Sequence, residues 1–119
     1  MRVKPAPMAN MRMLLANDPR SYREVMAGVV QALRPHVEVT LIDPENLDTD
    51  VARLNPHLVL CSRLTHTVRT QSLGWIVLYP EGDRCALISV AGTRTAVEEI
   101  EFQQVLSVVD EVDRLVQLS

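Results

Sequence analysis

A chain of 119 residues, 47% hydrophobic and 23% charged, has the makeup of one globular domain able to bury a core without staples. With one Trp, one Phe and two Tyr, that core must be aliphatic, and no base-stacking surface for single strands is on offer. A net charge of −3 without a basic cluster gives little counterion-release drive, which excludes nucleic acid as an expected partner.

Residues 1–10 (MRVKPAPMAN) carry basic side chains but no apolar h-region, so they read as a flexible leader and not a signal peptide. Met8 and Met11 are alternative starts. No apolar stretch approaches the roughly 18 residues of a membrane span. Cys61 and Cys85 form no CxxC pair. A cytoplasmic protein is therefore expected, with Cys61 a buried reduced thiol.

Residues 11–119 are expected to form a single domain. Met11 to Ala16 has strand length and ends in the polar turn Asn17-Asp18-Pro19. Tyr22, Val25, Met26, Val29, Val30 and Leu33 then recur with helical period and predict one apolar helix face. Ser21 and Glu24 form a capping box, and Asp18 followed by Pro19 is a rival start; Pro35 stops the helix. Val37 to Ile42 is β-branched and reads as a strand closed by Asp43-Pro44. A short helix capped near Asp48 or Thr49 carries Val51 and Leu54 and ends at Asn55-Pro56. His57 to Cys61 is a continuous apolar run, as in a strand covered on both faces.

The order β-α-β-α-β with short connections predicts a parallel sheet with right-handed crossovers and helices on both sides. Leu64 to Leu73 is rich in Thr, a poor helix former, and is read as a loop with one helical turn. Trp75 to Tyr79 is another buried strand, and only Pro80 to Arg84 separates it from Cys85 to Val90. That gap is too short for a helical crossover, so these strands should be antiparallel. Ala91-Gly92 is a second turn, with Thr93 to Val97 as a short edge strand. A final helix from about Glu101 presents Phe102, Val105, Leu106, Val109, Val112, Leu115 and Val116 inward, with Asp110, Glu111, Asp113 and Arg114 outward. The expected architecture is an α/β three-layer sandwich: a flavodoxin-like parallel sheet of order 2-1-3-4, an antiparallel hairpin at its edge and a C-terminal helix.

The segment MRMLLANDPRSYREVMAGVV resembles the opening of a response-regulator receiver domain, most like those preceding LuxR-type DNA-binding domains. NPHLVLCS resembles that family's third strand. The resemblance covers the first half of the chain, and no DNA-binding domain follows in this sequence. It implies a strand-three Asp that takes up a phosphoryl group, an acidic pair holding Mg²⁺, and a Thr or Ser and a Lys reading the phosphate. Here the acidic pair has become Asn17 and Asp18, and the phosphoacceptor position falls on Ser62 after Cys61. The Thr/Ser position falls near Tyr79. No lysine follows Lys4, and Arg84 and Arg94, expected in turns, are imperfect substitutes. Phosphoryl transfer depends on positioned charge, so the expectation is a degenerate receiver that is not an enzyme.

The bland roles compete with the functional ones. Asp18 reads as a helix cap before a metal ligand, and Asn17 as a turn residue. His36, His57 and His66 lack metal-ligand spacing. No P-loop, GxGxxG, GxSxG or HExxH stretch occurs, so no cofactor, metal or catalytic residue is expected. Open α/β sheets bind ligands beyond their strands' C-terminal ends. On that rule Asn17, Asp18, Ser62 and Arg63, with His66 nearby, are the candidate pocket. The expected role is recognition of a protein partner or self-association, through the edge strand or the last helix. The alternative is a small-ligand or anion sensor, or a weak enzyme, using that pocket.

Overall fold

The computed structural model describes residues 10–78 and 85–118. The expected leader (Asn10 excepted), Tyr79, the expected turn over residues 80–84, with Arg84, and Ser119 lie outside them. Six strands form one sheet: β1 (Arg12–Ala16), β2 (Glu38–Leu41), β3 (Leu58–Cys61), β4 (Gly74–Leu78), β5 (Ala86–Val90) and β6 (Thr93–Val97). Their order is β2-β1-β3-β4-β5-β6. The first four are parallel, and β5 and β6 are each antiparallel to their predecessor. The expected order and the antiparallel extension are both present. The helices are α1 (Arg20–Leu33), α2 (Leu47–Leu54), α3 (His66–Gln71) and α4 (Phe102–Leu118), with a 3₁₀ turn at Pro44–Asn46 before α2. None is long and apolar enough to cross a membrane.

Alternating side chains split the core between the two sheet faces. Met13, Leu15, Leu58, Leu60, Ile76 and Leu78 pack with Met26, Ala27 and Val30 of α1 and Val105, Val109 and Val112 of α4. Leu14, Ala16, Val59, Cys61, Trp75 and Val77 pack on the other face with Leu47 and Val51 of α2 and Val68 of α3. The apolar runs LVLC and WIVL are thus covered on both sides, as continuous hydrophobic strands require.

Four local expectations are corrected. The buried face of α1 is Arg23, Met26, Ala27 and Val30, while Val25 and Leu33 are 54% and 53% exposed. The helix is rotated so that small Ala27 meets the sheet and Arg23 buries its methylene stem. Its N-cap is Pro19 with no side-chain hydrogen bond, so neither Asp18 nor Ser21 caps it. The Leu64–Leu73 region contains a true helix, α3: the Thr65 hydroxyl accepts the Val68 N–H at 3.1 Å and Val68 is fully buried. The threonines that lower helix propensity here include the cap that starts the helix. On α4, Val108 is buried and Phe102 is exposed. Asp113 is not fully outward: it lies 2.9 Å from His36, beside the bidentate Arg34–Asp110 pair at 2.6 and 2.9 Å. These contacts tie α4 to the α1–β2 connection, and the Arg34 guanidinium holds the Asp110 carboxyl below its usual range.

Candidate functional site

The strand order reverses direction between β1 and β3, and open sheets leave a crevice at such a point. A cavity of about 410 Å³ lies there. Ala16 and Asp18 from the end of β1, and Cys61, Ser62 and Arg63 from the end of β3, form one side. Pro44, Glu45, Leu47, Asp48 and Thr49 from the β2–α2 connection, with Thr65 from the start of α3, form the other.

Three of the expected pocket residues therefore meet. The Asp18 N–H donates to the Ser62 hydroxyl at 2.9 Å, joining the two strand ends directly. Arg63 is exposed and makes no ion pair among the described residues. Asn17 does not join them. Continuing the alternation of β1, it falls with Met13 and Leu15 on the α1 face, where its side chain is fully buried and neither amide atom has a hydrogen-bond partner among the described residues. Its carbonyl accepts from Arg23 at 3.4 Å. His66 does not line the cavity either.

Glu45, Asp48 and Thr65 were not expected here. Thr65 donates its hydroxyl proton to Asp48 at 2.6 Å, bracing the start of α3 against α2. Asp43 accepts the Glu45 N–H at 3.1 Å and shapes the connection that places Glu45 at the cavity's rim. The signal was available: in a parallel sheet the connection after β2 emerges at the same edge as those after β1 and β3.

The cavity is mixed in charge, lined by Asp18, Glu45 and Asp48 together with Arg63. No three of His, Cys, Asp or Glu converge as a metal-holding set among the described residues. The Mg²⁺ that the receiver resemblance implies does not fit these residues: one carboxylate remains of the acidic pair, and a hydroxyl stands where the third-strand carboxylate would be. Cys61 is an inert wall. Burial pushes its thiol up to about 12, against the smaller opposing effect of a hydrogen bond from the Arg63 backbone. Arg94 lies within β6, not in a turn, with its guanidinium 5.4 Å from the centre of the Trp75 ring.

Compared with protein-family models, with curated proteins and with solved structures, the chain matches none of them.

Proposed function

We propose that this chain is a non-catalytic, receiver-like interaction module of flavodoxin-like architecture, working in the cytoplasm on protein partners rather than nucleic acid. The observation that carries this reading is at the end of β3. The Ser62 hydroxyl there is engaged by the Asp18 backbone N–H at 2.9 Å, at the position that the receiver resemblance assigns to the phosphoacceptor. A serine hydroxyl there lacks the charge a carboxylate brings to attack on a phosphodonor, and no lysine follows Lys4 to stabilise the product. The antiparallel β5–β6 hairpin stands where a receiver would continue with a helical crossover. It leaves an uncovered strand edge suited to recognition.

Intact mass after incubation with Mg²⁺ and acetyl phosphate, beside an active receiver, tests this reading. The expected result is no adduct under conditions that modify the control. A stoichiometric phosphoryl adduct would overturn it.

The cavity favours a second reading, a small-ligand or anion sensor built on Asp18, Ser62 and Arg63. Thermal shift against an anion and nucleotide panel separates the two. Stabilisation abolished by Arg63→Ala supports the sensor, and a flat panel with intact partner binding supports the interaction module.

A further inference from the structure

We infer that β6 is the docking strand for a second copy of this chain, pairing antiparallel about a two-fold axis at Ala96; this rests on the reading of the chain as an interaction module. β6 ends the sheet, and Thr93 to Ala96 are exposed. Edge strands are usually protected by Lys, Pro, bulges or covering segments. Thr-Arg-Thr-Ala-Val contains neither Lys nor Pro and pairs with β5 without a bulge.

The hairpin geometry fixes which backbone groups are free. The turn between β5 and β6 has two central residues, Ala91 and Gly92, both at positive φ (50° and 88°), as a type I′ hairpin turn requires. Its closing pair is Val90 and Thr93. Hydrogen-bonded and open positions alternate along an antiparallel strand. Thr93, Thr95 and Val97 therefore point their N–H and C=O groups toward β5, and Arg94 and Ala96 point theirs outward.

With Ala96 set against the second copy's Ala96, each Arg94 falls opposite the second copy's Glu98, an exposed residue immediately after the strand. Outward-facing backbone groups meet, and each Arg94, on leaving the Trp75 ring, finds a carboxylate opposite it. The faces match as well. Leu87 is the cross-strand neighbour of Ala96 and is 40% exposed, and Val77 is the neighbour of Leu87. Pairing at Ala96 joins the two Val77–Leu87–Ala96 rows into one apolar band across a twelve-stranded sheet. Shifting the axis to Thr95 would set Arg94 against the second copy's Ala96 and lose both charge pairs. Charge complementarity thus selects the register.

Sedimentation equilibrium of the full chain from micromolar to near-millimolar concentration tests the proposal. The expected result is a reversible dimer. Arg94→Glu should raise its Kd about tenfold or more, and adding Glu98→Arg should restore it to within about threefold, as like and opposite charges in direct apposition dictate. Ala96→Pro should abolish the dimer while leaving far-UV circular dichroism and thermal midpoint near native, because an outward edge N–H is not used within the monomer. A monomer at every concentration overturns the proposal. So does a dimer indifferent to Ala96→Pro and to the charge reversal, or a reversal that the double swap does not rescue. None of these results bears on phosphorylation, so this proposal and the functional reading fail separately.

Discussion

Asn17 is the residue whose chemistry is least reconciled with its surroundings. Its amide is fully buried with both polar atoms unpartnered among the described residues, a state that costs about 1–3 kcal/mol for a buried polar group. Asn17→Leu should therefore stabilise the protein by about 1–2 kcal/mol in urea unfolding; a loss of stability would show that the amide holds a partner. His57 has the opposite character, a half-buried ring with a hydrogen-bond partner. Its Nδ1 accepts the Arg12 N–H at 2.9 Å, and the ring must be neutral to do so. Desolvation, then the nearby Arg12 charge, lowers its pKa from the ordinary 6.5. The unfolded chain thus binds the proton more readily, so the contribution of His57 is complete above pH 6.5 and is lost as pH falls from there toward the lowered folded value. Chemical denaturation from pH 7.5 to 5 should show a slope that His57→Gln reduces. An unchanged slope in the variant would assign the effect elsewhere.

Among the elements, Gly74 at the start of β4 sets how closely α4 lies on the sheet. A Cβ there would sit 2.9 Å from Cγ2 of Val112 and 3.2 Å from the Ser89 carbonyl. Gly74→Ala should cost about 1–3 kcal/mol by overpacking, and Gly74→Ala with Val112→Ala should recover part of it. A neutral Gly74→Ala would mean that α4 is free to move away. Element type was readable where the sequence left one physical option. The short gap between β4 and β5 cannot hold a crossover helix, and LVLC and WIVL are too apolar for exposed strands. The helix α3 was not readable, because six residues with one buried side chain, Val68, produce no periodicity. The face of α1 was misjudged for a related reason. Counting apolar residues favours Val25 and Leu33, whereas packing selects small Ala27 and the long stem of Arg23.

Across the whole molecule, one sheet carries two unlike regions. Its parallel half brings the ends of β1 and β3 together, and the crevice between them is the part of the site that strand order alone foretells. That rule found Asp18, Ser62 and Arg63. It did not separate Asn17 from Asp18, which adjacent positions on a strand send to opposite faces, and it passed over the β2–α2 connection that supplies Glu45 and Asp48. The antiparallel half carries the exposed edge. The central proposal is that the crevice carries no phosphoryl chemistry and the edge serves recognition. It is tested most directly by ¹⁵N–¹H spectra recorded with and without Mg²⁺ and beryllofluoride, a mimic of the acyl phosphate. The account predicts that the amides of Ala16 to Asp18 and Cys61 to Arg63 do not shift. Saturable shifts at those residues would contradict it, because they would show a working phosphoryl site at the ends of β1 and β3.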